Sequence, residues 1–354
     1  MGLASLSVTQ LRCIHGADLE LPPGLTLLSG PNGAGKTSLL EAIFLLGRGR
    51  SFRTRNSERL IERGQDHLRV VGRTDELAGP EQTIGFEVRR PGGVTARVAG
   101  HNVESLADLS QIFPVQVIEP GVHKLVEEGA ARRRRWMDWA VFHVEPRFAD
   151  TWMRYGRALK QRNAALKLQP EQAPSWDAEL ARLGEEIAAS RARLMEQLQP
   201  YWQEAAAALS GLPVQLQYHR GWNAELPLAE ALTASRPRDE LRHITHVGPH
   251  RADVAVRLEG RAAREVLSRG QQKLVAVAMT VAQLRLLQAT TDATPTLLLD
   301  DPAAELDRQR LAGFISQVIQ LRSQLIVTSL TADSRLFGAP ERTFHVDQGR
   351  VQPV

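Results

Sequence analysis

The run Gly30-Pro31-Asn32-Gly33-Ala34-Gly35-Lys36-Thr37 governs the reading of this chain. The apolar stretch Leu25-Thr26-Leu27-Leu28 leads straight into it, and Ser38-Leu39-Leu40-Glu41-Ala42-Ile43-Phe44-Leu45-Leu46 follows, apolar almost all round. Strand, glycine-rich loop and buried helix is the context in which such a run cradles phosphate. Glycines let backbone amides close around a β-phosphate, the lysine reaches the β and γ oxygens, and the threonine hydroxyl ligates Mg²⁺. Every residue from Gly30 through Pro31, Asn32, Gly33, Ala34 and Gly35 to Lys36 and Thr37 is therefore a candidate nucleotide contact. Lys36 is also a candidate catalytic residue, and Thr37 a candidate metal ligand.

Two later segments narrow the class. Leu267-Ser268-Arg269-Gly270-Gln271 places a hydroxyl and free amides at a helix start, a second position that favours an anion, with Ser268, Gly270 and Gln271 as its contacts. Thr296-Leu297-Leu298-Leu299-Asp300-Asp301 reads as a buried strand delivering two carboxylates at its C-terminal end. Asp300 is expected to hold Mg²⁺ and Asp301 to orient or deprotonate an attacking water. With Ala304-Glu305-Leu306-Asp307 close behind, the ordered set is that of an ABC-type ATPase. A phosphate already surrounded by one loop has little room for a second donor from the same chain. Ser268 and Gly270 are therefore expected to serve ATP on another subunit, making a homodimer ATP-dependent.

Composition sets broad limits. The 354 residues suffice for about two domains, and 43% hydrophobic content supports a real core. Cys13 is the only cysteine, which excludes an internal disulfide and a cysteine metal cluster and fits a reducing cytosol. No apolar run approaches the roughly 18 residues of a membrane helix, and the start lacks a signal-peptide pattern, so a cytoplasmic protein without a membrane partner is expected.

Residues 67 to 103 alternate apolar and polar around glycines, as antiparallel hairpins do. Between Val122 and Leu209 the period becomes helical: Trp176, Leu180, Leu183, Ile187, Leu194 and Leu198 recur three, four or seven apart, and Pro200 should end or kink that helix. Strands are expected again at Val214 to Tyr218, Ala252 to Leu258, Thr296 to Leu299 and Gln324 to Val327. The predicted fold is α/β: an ABC-type P-loop ATPase head over residues 1–115 and 213–354, with a mixed sheet, flanking helices and an antiparallel β subdomain. A helical arm over residues 116–212 is inserted into it.

Residues 130 to 170 hold ten Lys or Arg against Asp138, Glu145 and Asp150, although the net charge of the whole chain is only +4. Such a cluster suits phosphate backbones without reading sequence. Arg133, Arg135 and Arg157 are candidate DNA contacts, as is Arg53 in a second cluster from Arg48 to Arg63. Neighbouring arginines on a helix lie about 100° apart, so some of Arg132 to Arg135 must be structural. The six tryptophans, all between Trp136 and Trp222, are expected in the core of the arm rather than stacked on bases.

The chain resembles the RecF family of DNA replication and repair ATPases, relatives of the SMC-type heads. The resemblance covers nearly its whole length. It rests on the phosphate loop and Leu39 to Ile43, on Gly49-Arg50-Ser51-Phe52-Arg53, and on Tyr155-Gly156-Arg157-Ala158-Leu159-Lys160-Gln161-Arg162-Asn163. Gly248-Pro249-His250-Arg251, Leu267 to Lys273 and Asp300 to Asp307 complete it. It implies an ATP-dependent dimer on single-stranded, gapped or junction DNA that acts with RecO and RecR to load RecA and supports the SOS response. Transporter ATPases usually carry Glu at the position of Asp301, and often a switch histidine where Thr328 and Ser329 stand. These departures imply weak water activation and a slow ATPase used as a switch. Gln116 is a candidate for the glutamine that ABC ATPases place near the metal, and Arg12 for a nucleotide contact. A transporter ATPase subunit is the alternative reading. An ATPase-nuclease is a third, lacking an appended acidic metal site after Asp307.

Overall fold

The computed structural model describes residues 2–75, 80–103, 106–291, 294–302, 308–331 and 338–354. The chain divides into two compact units, Met1–Val122 with Gln288–Val354, and His123–Leu287. This division differs from the expected head and arm. Residues 213–287, signature segment included, group with the helical segment rather than with the phosphate loop.

The first unit begins with the hairpin β1 (Leu3–Leu11) and β2 (Ile14–Glu20), then β3 (Leu25–Ser29) and α1 (Lys36–Arg48). β4 (His67–Thr74), β5 (Thr83–Arg89), β6 (Gly93–Val98) and β7 (His101–Asn102) extend β1 into an antiparallel sheet of order β2-β1-β4-β5-β6-β7. The alternation between residues 67 and 103 is thus a half-buried sheet: Leu68, Val70, Ile84, Phe86 and Val88 face the core. α2 (Leu106–Ile112) and β8 (Val115–Ile118) complete this first pass.

In the second unit, α3 (Lys124–Glu127), α4 (Ala130–Val144), α5 (Phe148–Leu168) and α6 (Asp177–Leu209) precede β9 (Val214–His219) and α7 (Leu228–Arg242). Then come β10 (Asp253–Leu258), β11 (Arg261–Ala262), α8 (Ala263–Val266) and α9 (Arg269–Thr290), whose end carries the chain back to the first unit. The apolar period of α6 is its packed face: Leu180, Leu183, Ile187, Leu194 and Leu198 are all buried. Pro200 does not end it. The helix runs on to Leu209, because Pro200 and Glu196, whose carbonyl loses its partner, are both exposed and water can satisfy the freed group. Trp136, Trp139 and Trp202 are core residues, and Trp152 stacks between Phe148 and Tyr155 with Arg191 over its ring at 5.0 Å.

The returning chain adds β12 (Thr296–Leu299), α10 (Arg308–Ile319), β13 (Gln324–Ser329), β14 (Arg342–Asp347) and β15 (Arg350–Pro353). The second large sheet of the first unit has the order β15-β14-β3-β13-β12-β8, parallel from β14 to β8. β3 and β12 are buried along their whole length, as the continuous apolar runs require. α1 is apolar all round because its core is shared with both sheets. Leu39, Leu40, Leu45 and Leu46 are fully buried among residues of β1, β4 and β5 and with Leu28, Leu298 and Ile326. Each such leucine contributes about 1.5–3 kcal/mol.

Candidate functional site

Strand register brings the site together. Leu299 pairs with Val327, and Ser329 pairs with Ser29, so β12, β13 and β3 end side by side. Asp300 and Gly30 leave that common carboxyl edge, where open α/β sheets place their ligands, and Thr328 lies in the last pleat of β13 before it.

The loop from Gly30 to Gly35 is held by its glycines. A Cβ on Gly30 would lie 2.0 Å from the Val346 carbonyl oxygen, and Gly35 caps α1 at φ 117°, in the left-handed region. Lys36 is buried, and its Nζ donates to the Gly30 and Pro31 carbonyl oxygens at 2.6 and 2.9 Å. Burial pulls its pKa below the usual lysine value, while Asp301 and Asp300 oppose the shift. A cation bonded to two carbonyls of the loop it belongs to suits an incoming polyanion. Thr37 Oγ1 donates to Asp300, 2.9 Å from Oδ1 and 3.1 Å from Oδ2, so the two hard oxygen ligands expected for Mg²⁺ stand side by side.

Thr328 joins the two carboxylates. Its Oγ1 donates to Asp300 Oδ1 at 2.9 Å and accepts from the Asp301 backbone N–H at 2.8 Å. Asp301 lies at φ 45°, a left-handed conformation uncommon outside Gly, Asn and Asp. Burial raises its carboxyl above the usual aspartate value; Lys36 opposes and Asp300 adds to the shift. Thr328 thus occupies the place considered for a switch residue, with a positioning role that the sequence signalled only by the missing histidine. Ala304 to Asp307 lie outside the described residues.

Of two further considered residues, one lies within a strand and the other is paired with a carboxylate. Gln116 is buried in β8 opposite Leu297, short of the edge where Asp300 leaves; Glu119 follows the strand at that edge. Arg12 pairs through two donors with Glu41, a fully buried carboxylate of α1 that also accepts from the Ser51 hydroxyl. Arg53 is exposed and lies 3.9 Å from the same carboxylate, so its charge is in part compensated.

In the second unit the signature segment forms a capping box. Ser268 Oγ accepts from the Gln271 N–H at 3.3 Å, and Gln271 Oε1 from the Ser268 N–H at 2.9 Å. Ser268 is exposed at the start of α9, so the cap also leaves a polar helix end open to a ligand.

The basic run on α4 divides by direction. Arg133 is a correction: it is buried, bonded through both arms to Asp253 at 2.8 and 2.9 Å, and its Nη1 donates to the Glu128 carbonyl. Its charge is spent inside the unit and is not offered to DNA. Arg135 and Arg157 are exposed. The family-like segments meet in one network: Tyr155 bonds His250 at 2.7 Å, Arg162 and Asn163 hold Thr245, and Arg191 donates to the Pro249 carbonyl. None of the described helices is long and apolar enough to cross a membrane.

Comparison with known proteins agrees with this arrangement. The sequence model of the RecF/RecN/SMC N terminal domain family matches residues 2–349. The DNA replication and repair protein RecF of Pseudomonas aeruginosa strain LESB58 is 38% identical over 359 residues, 99% of this chain and 97% of that protein. RecF of Vibrio parahaemolyticus is 38% identical over 99% of both chains. Among solved structures, that of the recombination mediator protein RecF with ATP in the RecFOR pathway superposes with a TM-score of 0.90 at 25% identity, covering 100% of this chain and 97% of the other. An Smc head bound to the C-winged helix domain of ScpA, at 16% identity and a TM-score of 0.61, shares the fold. This chain is a member of the RecF family, within the RecF/RecN/SMC group of ABC-type ATPases.

Proposed function

We propose that the chain is an ATP-gated DNA-binding protein of replication and recombinational repair in the cytoplasm. ATP binding at Gly30 to Thr37 joins two copies, and hydrolysis releases them. The observation that carries the reading is the meeting of Lys36, Thr37, Asp300, Asp301 and Thr328 at one sheet edge, in a chain that matches RecF proteins along its length. Mg²⁺, when bound, would supply charge neutralisation between the phosphates. Lys36 leaves its loop carbonyls for the β and γ oxygens, and Thr37 and Asp300 would hold the metal. Asp301 orients the attacking water and takes its proton, with its backbone fixed by Thr328. A short carboxylate and no imidazole make a slow switch. The exposed Ser268, with Gly270 and Gln271, serves the nucleotide of the second copy. The relatives named as DNA replication and repair proteins, and the RecFOR pathway named for one of them, support DNA as the ligand and RecO and RecR as partners; single-stranded, gapped or junction DNA, RecA loading and a part in the SOS response are what the family resemblance implies. The full-length match leaves the transporter-subunit reading with no observation in its favour.

The test is DNA binding by the purified chain to single-stranded, duplex and gapped substrates, each with and without ATP, beside Lys36→Ala. ATP should increase binding by the wild type and do nothing for the variant. Equal DNA affinity with and without ATP would refute the gating.

A further inference from the structure

What distinguishes the arginines of the second unit is whether a carboxylate already answers them. Arg133 is taken by Asp253, Arg162 by Asp177 and Asp239, and Arg191 by Asp138. On the surface, Arg182 lies between Glu179 and Glu186, and Arg193 meets Glu145. Two arginines at one turn differ. Arg134 Nη1 donates to the Ala252 carbonyl at 2.6 Å, and Arg251 Nη2 to the Thr245 carbonyl at 3.2 Å. Neither has a carboxylate in ion-pair range among the described residues, and the acids nearest Arg134, Asp253 and Asp138, are each held by both arms of another arginine.

These two guanidiniums therefore keep their charge and most of their five donors each. Burial pulls the Arg134 pKa down first, and the positive charges of Arg191 and Arg251 pull it further. Asp253 and Asp138 oppose that shift from a distance, but among the described residues no carboxylate pairs directly with either guanidinium.

The turn that holds them is fixed from several sides. Arg191 donates to the Pro249 carbonyl at 2.7 Å. Thr245 is tied through its N–H and its hydroxyl to Asn163 Oδ1 at 2.8 and 2.7 Å. His250 Nε2 lies 3.0 Å from the Thr245 carbonyl, to which it must donate, so Nδ1 accepts from the Tyr155 hydroxyl. Burial pushes the His250 pKa down to about 4, so at neutral pH the ring holds the turn without adding charge. Donors fixed before the ligand arrives lose little entropy on binding. Arg157, by contrast, sits two residues after Tyr155, about 200° round α5, and faces away from this turn.

We propose that Arg134 of α4 and Arg251, both bonded to carbonyls of the turn from Thr245 to Ala252, form a preorganised site for a backbone phosphate of DNA. The proposal rests on the DNA-binding reading above and names where the second unit takes hold. Guanidinium forks match phosphate oxygens, and such contacts position a strand without reading its sequence.

The test uses the full chain with ATP and a labelled single-stranded DNA, with Kd measured across a salt series for wild type, Arg251→Gln, Arg134→Gln, the double variant and Arg182→Gln. Arg182→Gln removes the same charge from an arginine already answered by carboxylates, so it controls for net charge. Each turn variant should weaken binding about threefold to tenfold. The double variant should lower the slope of log Kd against log salt by about 0.7, the share of one lost phosphate contact on a single strand. Arg182→Gln should match the wild type. Arg251 is exposed, so Arg251→Gln decides the matter if thermal melting shows that Arg134→Gln disturbs the fold. Wild-type affinity and slope in Arg251→Gln, or an equal loss in Arg182→Gln, would overturn the site. A wild-type chain that bound no DNA with ATP would instead overturn the reading on which the site rests.

Discussion

Thr328→Val exchanges a hydroxyl for a methyl at nearly constant volume and keeps a β-branched residue in β13. The loss falls on the hydrogen bond accepted from the Asp301 N–H, the one donated to Asp300 Oδ1 and a long one to the Leu299 carbonyl at 3.5 Å. Thr328 is 1% exposed, so water cannot take the place of the hydroxyl. An N–H left without its partner costs about 1–3 kcal/mol. The same bond holds Asp301 in its left-handed conformation, so the carboxylate should lose its aim as well. Residues that orient a metal ligand are typically worth about 10–100-fold, or roughly 1.4–2.7 kcal/mol. The expected outcome is a kcat for ATP hydrolysis lower by about 10–100-fold, a higher Mg²⁺ requirement and a melting temperature lower by a few degrees. ATP affinity without Mg²⁺ should hold, because Lys36 and its loop are untouched. Thr328→Ser should retain most of the activity. Steady-state ATPase rates across an Mg²⁺ series and binding of a fluorescent ATP analogue would measure this, and wild-type kcat with wild-type Mg²⁺ dependence in Thr328→Val would refute it.

Ser268→Arg should leave ATP binding by the monomer intact and block the ATP-induced dimer in light scattering; a normal dimer would remove Ser268 from the second copy's nucleotide. His250, with a pKa of about 4 folded against 6.5 unfolded, takes up its proton first in the unfolded chain as pH falls. Its contribution is complete above pH 6.5 and is lost towards pH 4, so urea denaturation should show about 2 kcal/mol less stability at pH 5 than at pH 7.5. His250→Gln should lack that difference, and an unchanged pH dependence would show that the ring is not held neutral. Cys13 is exposed and the sole cysteine, and a Cβ on Gly35 would lie 3.1 Å from its Sγ. ATP should slow its alkylation by a maleimide, and equal rates with and without nucleotide would argue against occupancy of the loop.

The nucleotide site could be read in the sequence because its residues act through local conformation. Gly30 and Gly35 supply the positive φ values that their loop requires, and Asp300 and Asp301 end an apolar run whose direction in a parallel sheet is set. The period of α6 was equally plain, since Leu180 to Leu198 mark one face. Direction round a helix was harder. Arg132 to Arg135 look alike in the chain, and only the position of Asp253, 120 residues from Arg133, makes that arginine structural and leaves Arg134 unanswered. The border between units was hidden for a related reason. β9 and β10 alternate as half-buried strands just as β4 and β5 do, so alternation could not say which sheet they join. Of the two outcomes expected at Pro200, an end to the helix does not occur, since the carbonyl the proline leaves unbonded is exposed to water.

The claim that nucleotide state governs the hold on DNA is tested most directly by DNA dissociation from Asp301→Asn beside wild type, in ATP and Mg²⁺ with excess unlabelled competitor. The substitution removes the water-orienting charge and leaves Lys36, Thr37 and Asp300 to bind ATP. The account predicts that the variant binds ATP, fails to hydrolyse it and releases DNA more slowly than wild type. Lost hydrolysis with DNA release as fast as wild type would contradict it.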